Sequence, residues 1–288
     1  MIRFNMLLLV VPVIFTLTIT LVIPSVDGQT EDPLPVLLIH GYYEGPEVWE
    51  AWLNELQNDG ITAEAVEFEL DDQCGTSASH AQELVEIVNR FQDDTQADKI
   101  NIVAHSKGGL DARLYLANDL SNTDIANLIM IGTPNHGSPL VWGVSLINPF
   151  TIPPLMFPIV ERFFCLPAAS DLKPGSEATL SAKNENTKYY TIAGSWIPDF
   201  YFSNVFSFSS DSNCPQASWL PLQRWGSDFV ILGQDDGLVP LRSAVQQGFI
   251  NLGVSDNCHT NLLSEQQEYD WAKQLLLPKY IDKIRQYD

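Results

Sequence analysis

At residues 100–120 a short apolar run gives way to helical spacing, and a serine stands at the junction. Ile100-Asn101-Ile102-Val103-Ala104 reads as a buried strand and Leu110 to Leu120 as a helix, with His105-Ser106-Lys107-Gly108-Gly109 joining them. A serine on so sharp a turn takes a strained backbone conformation, with its hydroxyl projecting above the sheet. Ala104 and Gly108, on either side, are small enough to let neighbouring segments pass close by. The helix that starts there aims its positive N-terminal end at the same point. A helix-capping serine would also suit this position; the strand–turn–helix setting favours a nucleophile.

The unit belongs to a longer alternation. Pro35 to His40 is a short apolar strand, followed by Val48, Trp49, Trp52, Leu53 and Leu56 at helical spacing and a stop at Gly60. Ile61 to Leu70 alternates apolar and acidic residues, as an edge strand does, and Leu84, Val85, Val88 and Phe91 mark a helix. Ile125 to Ile131, Tyr189 to Ala193 and Gly248 to Leu252 read as further strands, and Gln266 to Leu277 as a closing helix. About six strands interleaved with helices make an α/β fold: a mostly parallel sheet with helices on both faces. A chain of 288 residues, 45% hydrophobic, can bury this as one large domain, here residues 29–288, and no linker or repeat divides it.

Two stretches break the rhythm. Ser138 to Ser170 is rich in Pro, Phe, Leu and Ile, and Trp196 to Val230 in aromatics and serine. Both follow strand ends, on the side where such sheets bind ligands, which favours a lid over ordinary core packing. Trp142, Leu146, Phe150, Leu155 and Met156 then read as walls of an acyl-chain slot.

A nucleophilic serine needs a base, and neutral imidazole is the usual one near neutral pH. His105 adjoins Ser106 and should point elsewhere; His40 ends the first strand and shapes the loop there; His80, early in a helix, reads as a surface residue. His136, at a strand end, is a rival. Chain order of serine, acid, then histidine favours His259, in the loop after the last strand. Asp236, before the turn Gly237-Leu238-Val239-Pro240, is the candidate acid, with Asp235 as backup. Alone, Asp-Gly would read as a turn; its place between Ser106 and His259 changes that. Two backbone N–H groups should hold an oxyanion: Lys107, directly after the serine, and Tyr42 in the loop His40-Gly41-Tyr42-Tyr43-Glu44-Gly45.

At Leu38-Ile39-His40-Gly41, Ala104 to Asp111, Ile131-Gly132-Thr133-Pro134 with Gly137-Ser138, and Asp236-Gly237-Leu238-Val239, the chain resembles the bacterial true lipases and related triacylglycerol lipase-like hydrolases. The matches run in the family's order across most of residues 34–275. Ala104 replaces the first glycine of the serine turn, a variant that some small lipases share. The resemblance implies an α/β-hydrolase fold, catalytic Ser106, Asp236 and His259, oxyanion donors at Tyr42 and Lys107, and a mobile cap after Gly137-Ser138. Several such lipases hold calcium through an aspartate two positions after the histidine; Asn261 stands here, and neither a metal nor any other cofactor is expected. The expected activity is hydrolysis of lipid-like esters through an acyl-enzyme. A small-ester esterase, an acyltransferase or lipid deacylase, and a non-catalytic binding protein are the alternatives.

The remaining features concern compartment and partners. Arg3, the apolar run Met6 to Ile23 and the small residues up to Gly28 read as a signal peptide or, given a length near the roughly 18–20 residues of a membrane span, an N-terminal anchor. Four cysteines, Cys74, Cys165, Cys214 and Cys258, are too scattered for a paired zinc motif and suit two disulfides in an exported protein. Of the three connectivities, Cys165–Cys214 is favoured because both lie in the irregular stretches. A formal charge of −21, from 15 basic and 36 acidic residues, repels nucleic acid and anionic membranes. The expected partner is therefore a lipid-like ester, met at a lipid–water interface by a secreted or anchored monomer.

Overall fold

The computed structural model describes residues 32–69, 72–141, 153, 156–157, 159, 161, 165–196 and 233–277. The leader, most of both long insertions, Trp142, Leu146, Phe150, Leu155 and Cys214 lie outside these residues. Among the described residues, no helix is long and apolar enough to cross a membrane.

Six strands form one sheet: β1 (Val36–Ile39), β2 (Ala63–Ala65), β3 (Ile100–His105), β4 (Ile125–Ile131), β5 (Lys188–Gly194) and β6 (Ile250–Ser255). Their order is β2-β1-β3-β4-β5-β6, and every neighbouring pair is parallel. Among the described residues the α-helices are α1 (Glu50–Asn58), α2 (Ser77–Thr95), α3 (Lys107–Asn118), α4 (Leu166–Asp171), α5 (Glu177–Leu180), α6 (Leu241–Ala244) and α7 (Gln266–Leu276).

Strand residues alternate between two cores. Leu37, Ile39, Ile102, Ala104, Leu128 and Met130 pack with Leu84, Val88 and Phe91 of α2 and Ala112 and Leu116 of α3. Val36, Leu38, Val103, Ile129, Ile131 and Ile192 pack on the other face with Trp49, Trp52, Leu56 and, from α7, Tyr269, Ala272 and Leu276. Burial on both faces is why β1, β3 and β4 read as nearly continuous apolar runs. Each buried Leu or Ile contributes about 1.5–3 kcal/mol of transfer free energy.

Three expectations need correction. Among the described residues of the stretch Ile61–Leu70, only Ala63–Ala65 are strand: β2 lies at the end of the strand order, paired to β1, from Val36↔Ala63 to Leu38↔Ala65. The last strand runs over Ile250–Ser255 rather than 248–252, because Gly248 sits in a left-handed turn (φ +87°). Cys165 pairs with Cys74, not with Cys214: the fold brings the loop before α2 to the start of α4, with Cα atoms 4.9 Å apart across 91 residues of sequence. Cys258 is also disulfide-bonded.

Candidate active site

The strand order reverses direction at β1 and β3, and the ends of these strands lie side by side where open α/β sheets receive ligands. Ser106 follows β3 directly. Its φ of 51° and ψ of −125° put a non-glycine residue in the left-handed half of backbone space, a strain the surrounding contacts must hold. Ser106 N donates to Ile131 O at the end of β4 (2.9 Å), which pins the turn from behind. Gly108 has no room for a side chain, since a Cβ would overlap the carbonyl oxygens of Ile39 and His40. That is the physical content of a small residue two positions after the serine.

His259 opens a 3-10 turn (His259–Leu263) after β6. Its Nε2 lies 2.8 Å from Ser106 Oγ, and its Nδ1 lies 2.7 Å from Asp236 Oδ2. A carboxylate accepts, so Nδ1 carries the proton and the Nε2 lone pair faces the serine hydroxyl. Asp236 is itself fixed: Oδ1 accepts from Val239 N (2.7 Å) and Leu238 N (3.0 Å), and Asp236 O accepts from His259 N (2.9 Å). All three side chains are buried. Burial alone would lower the His259 pKa, but the Asp236 charge, its hydrogen bond and Glu44 prevail and raise it.

The rivals are placed elsewhere. Asp235 Oδ1 accepts from Gly237 N (2.7 Å) within the Asp-Gly turn. His136 is exposed, and its backbone N donates to Ser243 Oγ. His40 is buried beneath its loop, with Nε2 2.8 Å from Asp72 Oδ1. His80, expected on the surface, is only 3% exposed: Nδ1 lies 2.8 Å from Asp111 Oδ2 and the ring stacks on Phe68 at 3.7 Å. It lies on the face of α2 that packs against α3, where a carboxylate neutralises its polarity.

Lys107 heads α3 with its side chain turned inward, Nζ donating to Asp111 Oδ1 (2.8 Å) and Oδ2 (2.9 Å). Burial alone would raise the Asp111 carboxyl, but Lys107 and His80 bring it down to about 2. What Lys107 presents towards the serine is therefore backbone. Across from it, Gly41 packs against Ser106 so closely that a Cβ would stand 2.7 Å from the serine Cβ. Tyr42 follows, half-buried, its phenol pushed up to about 12 by burial and by Tyr43. Tyr43 has a φ of 64°, held by its N–H to Gln73 O (3.0 Å). Met156 stands 54% exposed.

One pair escaped the sequence reading. Glu44 Oε2 accepts from Gly41 N (2.7 Å) and lies 2.8 Å from His105 Nδ1, while His105 Nε2 lies 3.1 Å from His259 O. No spacing rule links residues 44 and 105, which meet only because β1 and β3 are neighbours.

A parallel sheet with a strained serine at a strand–helix turn, in contact with a histidine and its carboxylate, has the geometry of a nucleophile elbow. The chain belongs to the alpha/beta hydrolase fold family, whose sequence profile matches residues 35–248. It is 30% identical over 123 residues to a triacylglycerol lipase of Burkholderia plantarii, covering 40% of this chain and 33% of that protein. It is 27% identical over 152 residues to triacylglycerol lipase 2 of Saccharomyces cerevisiae, covering 48% and 44% respectively. The matched stretches thus span less than half of these relatives' lengths. The mature form of Bacillus licheniformis lipase BlEst2 superposes with a TM-score of 0.64 at 18% identity, covering 85% of this chain and 92% of that one, a likeness of fold.

Proposed function

We propose that the chain is a serine carboxylic-ester hydrolase that acts through an acyl-enzyme on Ser106, with lipid-like esters as substrates. The observation that carries this reading is the hydrogen-bonded series Ser106 Oγ, His259, Asp236 on a strained turn. His259 Nε2 takes the Ser106 proton as Oγ bonds to the acyl carbon, and the N–H groups of Tyr42 and Lys107 hold the oxyanion. Collapse breaks the bond to the leaving alcohol, which receives the proton from Nε2. Water then repeats the sequence and frees the acid. Asp236 keeps the proton on Nδ1 and stabilises the imidazolium.

The lipid-like preference is supported by the apolar composition of residues 138–170 and by similarity to triacylglycerol lipases. Export is supported by the apolar leader and by the Cys74–Cys165 disulfide. A fluorophosphonate probe should label Ser106, and peptide mapping of the adduct to another serine overturns the assignment. A profile of p-nitrophenyl esters should favour octanoyl and longer chains; preference for acetyl makes this a small-ester esterase.

A further inference from the structure

Beside Ser106 is a second histidine–carboxylate pair that the mechanism does not use, its Glu44 side chain 19% exposed. His105 is 0% exposed, and its two ring nitrogens face a carboxylate oxygen and a backbone carbonyl oxygen. Both partners can only accept, so the ring satisfies both when it carries both protons. Glu44 supplies the balancing charge and, through the same oxygen, anchors Gly41 N at the start of the proposed oxyanion loop.

We propose that Glu44 and His105 form a carboxylate–imidazolium pair that positions the active site, tying the Gly41–Tyr42 loop to the backbone of His259. The inference rests on the reading of Ser106, His259 and Asp236 given above. The pair also has an electrostatic task. Glu44 places a negative charge beside the point where the oxyanion must form, which would oppose catalysis if left alone. The imidazolium offsets part of it, and the remainder is felt at His259. Consistent with this, His105 and the Gly41 N–H hold the Glu44 carboxyl down at about 2, although burial alone would raise it. Among the described residues, the titratable groups facing His259 are Asp236 from the turn before α6, Glu44 from the loop after β1 and His105 from the end of β3, whose ring centroid lies 4.8 Å from that of His259.

The two members are therefore unequal. Glu44→Gln keeps an oxygen for Gly41 N and removes the charge, whereas His105→Gln strands a partly buried carboxylate beside the oxyanion. Steady-state kinetics and the acid limb of kcat/KM on a p-nitrophenyl ester test this, with Ser106→Ala as reference. We expect kcat to fall about tenfold in Glu44→Gln and about a hundredfold in His105→Gln, because an unpaired, partly desolvated charge costs more than a missing pair. The double variant should recover to the level of Glu44→Gln. The acid limb should move down in pH for Glu44→Gln and up for His105→Gln. Shifts in one direction, no shift, or a double variant worse than His105→Gln overturns the pair while leaving the nucleophile assignment standing. Residual turnover in Ser106→Ala instead overturns that assignment. Nitrogen NMR of histidine-labelled Ser106→Ala protein gives a reading that does not depend on His105→Gln folding. His105, assigned by its contacts to Glu44, should show both ring nitrogens protonated, and a singly protonated ring overturns the proposal.

Discussion

Two imidazole–carboxylate pairs stand side by side at the ends of β1, β3 and β6, and they differ in one partner. His259 has Asp236 on one nitrogen and a serine hydroxyl on the other; His105 has Glu44 on one nitrogen and a carbonyl oxygen on the other. A hydroxyl can give up a proton or accept a bond, so His259 Nε2 is open to proton transfer. A carbonyl only accepts, so the His105 proton has nowhere to go. In the two proposals made above, the same two residue types serve as a relay in one place and a clamp in the other, and the atom across from Nε2 distinguishes them.

The comparison can be broken most severely at the hydroxyl. Ser106→Ala should reduce ester turnover by about three orders of magnitude or more, with circular dichroism unchanged; appreciable turnover would mean another nucleophile. Next is the carboxylate of the relay. Asp236→Asn should lower kcat by about 10³- to 10⁴-fold through loss of tautomer control, measured on the same ester.

A smaller effect is read in the pH profile. The raised His259 pKa means that the protonated, inactive ring persists to a pH above the ordinary imidazole value, so kcat/KM should rise with pH through that higher midpoint. Asp236→Asn should move the midpoint down, and an unchanged midpoint would detach the titration from this pair. Smallest of all, exposed His136→Ala should change kcat by less than about twofold, as surface substitutions do; a large loss would reinstate it as a rival base.

Much of the sheet was legible from local pattern. β1, β3 and β4 are sandwiched between two cores, so their residues are apolar on both faces and the runs stand out. The strained turn at Ser106 was legible because it leaves local marks: a strand, a helix and Gly108, forced by the Ile39 and His40 carbonyls. His80 was misread because early position in a helix says nothing about which face meets α3. The Cys74–Cys165 bridge was missed because distance along the chain carries no information about proximity when 91 residues fold between the ends.

By itself, the sequence determined the alternation of strands and helices and the serine turn. These are local features, set by periodicity, side-chain size and backbone strain within a few residues. Only the tertiary structure decided that β1 lies against β3, that Glu44 therefore reaches His105, and that α2 buries His80 against Asp111. Such contacts depend on strand order and helix orientation, which arise from packing the whole core and are written in no single stretch of chain.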